Sequence, residues 1–394
     1  MIGFIYNILK DYLPKVLEFF NQYKSVKYLY TLDDINEKIS KMDFLSFETT
    51  RWLNGQQLQT LYADEMYKMR VFNGKDYLNI RIPYTQLVDF IQNPKSEIII
   101  DGSLNNNDSI TISKYFEMSD VLTEATEETL KEIIELKKPY DYDHPRIAGF
   151  RRAGEDKYIC TIELAKYFQH IRTNLNLDTR ISYGDRMTTI RTLECEMSNN
   201  GLIDFSQSIL ANIIGVSAIW IMGNVNDYKV FLLPRKNNVG IYEGKLGIPS
   251  GYVECPLDNT FNTPSLLEYL KLEIAREFAE ETGIADSEID LTQYAKEVDS
   301  TRIKYRTKLE IVPLAFMREM LRGGMPQMFF LIRTKSIPNK ILKNCFRNSL
   351  GTEEFDNSLF SKSTISSEVA CNYLYAMKYL QSRQDGCIDV SYFK

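Results

Sequence analysis

Two kinds of hydrophobic pattern divide the chain near residue 205. After that point, residues 215–222 and 228–233 are continuous apolar runs of β-favouring residues, with Gly223–Asp227 between them as a hairpin loop. Residues 309–316 and 327–334 repeat the pattern, joined across Arg322, Gly323 and Gly324. Ser366 to Ser382 carries Val369, Tyr373, Ala376 and Leu380 along one side, which predicts a closing helix. Before residue 205 the pattern is mixed. Ile5, Leu9, Leu13, Val16, Leu17 and Phe20 predict an amphipathic helix packed on the protein, kinked or restarted at Pro14. Strands are expected at 77–83, 97–101 and 158–162, and helices at 85–91, 123–138 (capped by Thr123) and 163–171. Pro139 and residues 140–145 read as a break and a turn, and residues 172–205 are weakly periodic. This predicts an α+β domain over 1–205 and an α/β domain over 206–394. No repeat or long Gly/Ser linker separates them, so the two halves are expected to pack together.

One helix stands out. Thr263 and Pro264 suit its N-cap and first turn, and Gly283 suits its left-handed stop. Leu267, Leu270, Ile274 and Phe278 form one narrow stripe that can pack on a sheet. Glu277, Glu280 and Glu281 share an adjoining face, with Glu273 one turn earlier. Like charges at this spacing cost a few tenths of a kcal/mol per pair, roughly. They also sit toward the end where the helix dipole disfavours them, and Arg276 offsets part of this by pairing with Glu280 at i+4. Two local rules broken together fit a functional site. The oxygen-rich cluster suits a hard cation such as Mg²⁺ or Mn²⁺; the other reading of the same residues is a solvated acidic face.

Composition narrows the classes. The chain has 394 residues, 44% apolar and 25% charged, an ordinary globular balance for more than one domain. A net charge of -6 disfavours a general electrostatic grip on nucleic acid or anionic lipid, and no clear helix-turn-helix is visible. The six cysteines are scattered without metal-ligand spacing, which implies reduced thiols in a cytoplasmic protein. His144 and His170 have no partner that spacing picks out, so structural or surface roles are expected and zinc is not. The N-terminal apolar run is too interrupted by charge to span a bilayer.

Residues 276–284 read Arg-Glu-Phe-Ala-Glu-Glu-Thr-Gly-Ile. They match all seven specified positions of the second half of the Nudix box, Arg-Glu-U-x-Glu-Glu-x-Gly-U with U a bulky apolar residue. Residues 248–254, Ile-Pro-Ser-Gly-Tyr-Val-Glu, resemble the strand and turn that open that box. The resemblance covers about residues 206–394 and implies a Nudix-like α/β/α sandwich on a mixed sheet, preceded by the α+β domain. The chain departs from the pattern in its front half. Arg276 follows Gly251 by 25 residues, where the family's box places it fourteen after its first Gly, so a loop near 255–262 is about 11 residues longer. Glu268 stands eight before Arg276, as the first box Glu does, and Ser250-Gly251 replaces the usual Gly-Gly.

The resemblance implies Mg²⁺- or Mn²⁺-dependent hydrolysis of a pyrophosphate bond in a nucleoside diphosphate derivative, such as ADP-ribose or a nucleotide sugar. Glu277, Glu280 and Glu281, with the Ser250 carbonyl, would hold the cation, and Arg276 would orient a helix glutamate. The general base varies within the family; Glu353 and Glu354 are the later-loop candidates, with Glu354 favoured. Arg235 and Lys236, with Gly251, would face the substrate. A nucleotide-type small molecule is the expected partner, without membrane or nucleic acid, and a homo-oligomer is compatible with the chain. The alternative is a Nudix-like module that senses a nucleotide and regulates through residues 1–205.

Overall fold

The computed structural model describes residues 29–42, 61–62, 67–72, 77–102, 109–198, 201–223, 228–234, 245–282, 289–290, 307–308, 310–334 and 365–383. The expected helix of residues 5–20 and the loop 224–227 lie outside them, as do Arg235, Lys236, Gly283, Glu353 and Glu354. The chain is a mixed α/β protein. Its central sheet contains β1 (Leu29–Thr31), β2 (Tyr84–Asp89), β3 (Gly215–Met222), β4 (Lys229–Phe231), β5 (Ser250–Tyr252), β6 (Glu310–Glu319) and β7 (Met325–Thr334). The order is β1-β4-β3-β7-β6-β2, with β5 beside the early half of β3. β3 and β7 run parallel and the other pairs antiparallel, so the sheet is mixed.

The continuous apolar runs are explained by burial on both faces. Every residue of β3 is buried. Val216, Ala218 and Trp220 share one core with Leu270, Ile274 and Phe278 of α1 (Leu266–Thr282). Ile219 and Ile221 share the other with Val369, Tyr373, Ala376 and Leu380 of α2 (Ser367–Ser382). The two helices therefore cover opposite faces. Trp220 and Phe278 meet edge-on at 4.9 Å. Burying a side chain of that size is worth roughly 1.5–3 kcal/mol, enough to outweigh the acid crowding on α1.

The central sheet draws strands from both sides of residue 205. β1 and β2, from the first half, lie at its two ends. A three-stranded sheet of Glu97–Ile100, Asp143–Arg152 and Lys157–Lys166 shares the core beneath α1 through Ile98, Ile100, Ile162 and Leu164. Residues 260–261, in the long loop, pair with residues 110–111. Among the described residues no helix is long and apolar enough to cross a membrane.

Several elements differ from the sequence expectation. Residues 84–89 are a strand, not a helix, because pairing with β6 supplies hydrogen bonds that the local window does not reveal. The strand at 157 runs on to Lys166, with a short helix at Tyr167–Arg172, because buried Glu163 pairs across the sheet with Arg146. The helix expected at 123–138 is two: Ser119 caps Asp120–Ala125, and a second spans Glu127–Lys137. At the join, the Thr126 hydroxyl donates to Leu122 O at 2.8 Å. The turn expected at 140–145 is cut short, since His144 and Pro145 are already in a strand. α1 begins at Leu266, later than Thr263 implies, because Pro264 O accepts from Ile100 N at 2.8 Å and Ser265 bridges to Ile99.

Candidate metal and diphosphate site

The helix face and the β5 turn, far apart in sequence, meet. Ser250 N donates to Glu281 Oε2 at 3.1 Å across 31 residues. Gly251 faces α1, and a Cβ built on it would stand 2.1 Å from Glu277 Oε1. The missing Cβ is what lets the carboxylate lie this close; a larger residue would have to push the Glu277 side chain aside. Glu254 N donates to Glu273 Oε2 at 2.9 Å, which fastens the chain after β5 to the same helix.

Arg276 stands at the centre of the acids. It reaches Glu277 Oε1 at 2.7 Å, Glu273 Oε2 at 3.1 Å, Glu280 Oε2 at 3.1 Å and Glu254 Oε1 at 3.3 Å. The i+4 contact with Glu280 is the one that helical spacing anticipates. Four carboxylates on one guanidinium leave a local excess of negative charge. Burial pushes the Glu277 carboxyl up to about 7; Arg276 opposes this, and Glu280 and Glu273 add to the rise. Burial also raises Glu273, against Arg276 and the Glu254 N–H. Glu280 is exposed and open to solvent.

Glu277, Glu280, Glu281, Arg276, Ser250 and Gly251 are thus brought together. Among the described residues no ready-made group of three or more His, Cys, Asp or Glu side chains forms a metal cage. The sequence reading did not assign roles to Glu254 and Glu273. Glu273 was detectable, since it precedes Arg276 by three residues on a helix; Glu254 depends on the fold of the intervening loop. Glu268 pairs with Lys271 at 2.7 Å and has no contact to Arg276.

The first half supports the site from behind. His144 Nδ1 stands 2.8 Å from Val253 O, so that nitrogen carries the proton and donates. Burial lowers the pKa of the ring, which keeps it neutral. His170 is fully buried, 4.7 Å edge-on from the Tyr252 ring, and burial lowers it too. Both histidines are buried, His144 against the chain after β5 and His170 against Tyr252. No protein-family model and no curated protein gave a match to this chain.

Proposed function

We propose that the chain is a Nudix-type pyrophosphohydrolase acting on a nucleoside diphosphate derivative with Mg²⁺ or Mn²⁺. The observation that carries this is the meeting of Glu277 and Glu281 with the backbone of Gly251 and Ser250. It joins the two pieces of the motif in space although a long loop divides them in sequence.

The donor set fits a hard cation. It is all oxygen, it has more negative than positive charge, and burial pushes the carboxyl of its largely covered Glu277 up to about 7 despite the Arg276 beside it. Glu277, Glu280 and Glu281, with the Ser250 carbonyl, would hold the ion. When bound, the ion would neutralise diphosphate charge and activate water. Arg276 orients Glu277 through their 2.7 Å contact. Gly251 keeps the β5 backbone close enough for a carboxylate to rest on it. Glu354 is retained as the candidate base, and Arg235 and Lys236 as phosphate contacts.

A sensor reading draws on a different observation. The first half grips the segment beside the site through His144 and through pairing at 260–261, so a ligand held there could be read out by residues 1–205. One experiment addresses both. The full chain is incubated with a panel of nucleoside diphosphate compounds, with and without Mg²⁺, beside Glu280→Gln and Glu281→Gln. Metal-dependent turnover lost in both variants is expected. Turnover retained in both would remove the site, and tight binding without turnover would favour the sensor.

A further inference from the structure

The two terminal nitrogens of Arg276 divide its carboxylates into two sets. Nη2 is shared by Glu273 and Glu277, whose side chains are 10% and 13% exposed. Nη1 is shared by Glu254 and Glu280, at 60% and 62%. The arginine therefore has an inner pair and an outer pair of partners. Glu273 differs from the other three because its Oε2 also accepts the Glu254 N–H at 2.9 Å. It also faces Arg276 Nε at 3.4 Å. One buried carboxylate thus ties the guanidinium, the helix and the strand segment together. Glu268 does none of this, being half exposed and paired with Lys271.

A guanidinium among carboxylates is the nearest competitor of any cation for the same oxygens. Where it rests decides which acids remain for the cation. Nη1 already meets Glu280, one turn on, and the inner contacts at Nη2 and Nε keep the rest of the guanidinium from following it. We propose that Glu273 is the positioning residue of this site. It holds Arg276 Nη2 and Nε on the inner side and pins the segment after Gly251, so that only Nη1 reaches the outer acids Glu254 and Glu280 and a cation has one guanidinium nitrogen to displace there. Its consequence for cation binding rests on the function proposed above; the hold itself rests on the contacts around Glu273.

The test uses the full chain with Glu273→Gln, Glu268→Gln, Arg276→Gln and the Glu273→Gln/Arg276→Gln double variant. Mn²⁺ affinity is read by electron paramagnetic resonance, with the thermal midpoint recorded for each. Glu273→Gln is expected to weaken Mn²⁺ binding about tenfold or more, in the range of losses seen when a ligand's supporting partner is removed. Glu268→Gln should leave it unchanged. In the Arg276→Gln background the Glu273→Gln penalty should vanish, because no guanidinium remains to be released. A full penalty in that background, or none in the wild type, overturns the proposal. Amide hydrogen exchange at Glu254 in metal-free protein gives a readout without cation. Glu273→Ala should speed it at least about tenfold, since the acceptor is gone. Unchanged exchange overturns the hold. Wild-type protein that binds no Mn²⁺ while Glu254 behaves as expected would overturn the cation reading and its consequence, not the hold.

Discussion

Arg191 and Arg276 are each surrounded by partners, and the contrast between them separates a structural arginine from the arginine of the proposed site. Arg191, in the first half, is fully buried. Its fork meets Asp178 at 2.6 and 2.9 Å, and its remaining donors reach Met320 O at 2.7 Å, Leu321 O at 2.8 Å and Tyr62 OH at 3.3 Å. One carboxylate balances one guanidinium, and carbonyls and a hydroxyl take the other hydrogens. Such a cluster is closed, and its role is to lock the first half onto the β6–β7 turn. Arg276 instead faces four carboxylates, two of them open to solvent. One guanidinium does not balance four carboxylates, and that surplus of acid is what the proposed cation would offset.

The largest effect expected tests the closed cluster. Asp178→Ala leaves the Arg191 charge buried and unpaired, at a cost of about 3–5 kcal/mol. Urea unfolding should show the loss directly, and a change under 1 kcal/mol, roughly, would mean the pair is not structural.

Next comes the open cluster, with the opposite sign. Glu277 has a folded pKa raised from 4.5 to about 7. Its favourable contribution is therefore complete below pH 4.5 and lost as pH rises through about 7. At about 1.4 kcal/mol per unit over about 2.5 units, the penalty at pH 8 is at most about 3–4 kcal/mol. Glu277→Gln should therefore raise the stability of the metal-free protein at pH 8 by up to about that amount, with little change at pH 4. A variant less stable than wild type at pH 8 would show that the carboxylate is structural, as Asp178 is.

Gly251→Ala should cost about 1–2 kcal/mol, the usual scale for an extra methyl forced into a packed place. The flexible end of Glu277 gives way first, so cation binding should suffer more than folding. A calorimetric titration with Mn²⁺ beside a thermal melt separates the two. Smallest of all, Glu280→Gln should change stability by less than about 0.5 kcal/mol, as an exposed substitution does. Its effect is expected in cation binding and turnover, and a large loss of stability would place Glu280 in a closed network.

Much of this was legible in the residues because it is local. The apolar stripes of α1 and α2 and the Arg276–Glu280 contact follow from 3.6-residue periodicity. The hairpin of β6 and β7 follows from two apolar runs and a Gly-Gly turn, where Gly323 and Gly324 take positive φ. Residues 84–89 misled the local reading because an end strand takes its identity from its neighbour. Glu163 misled it in the same way, since its partner Arg146 lies on another strand.

The sequence by itself determined which acids share a helix face, because an α-helix fixes those neighbours within a few residues. Only the tertiary structure decided that they are not equivalent. Glu277 is pressed against Gly251, Glu281 is bonded to Ser250, Glu273 is tied to Glu254, and Glu280 is left open. Those differences arise where chain segments 19 to 31 residues apart close on each other. Burial there, rather than residue type, sets the charge, the reach and the role of each carboxylate.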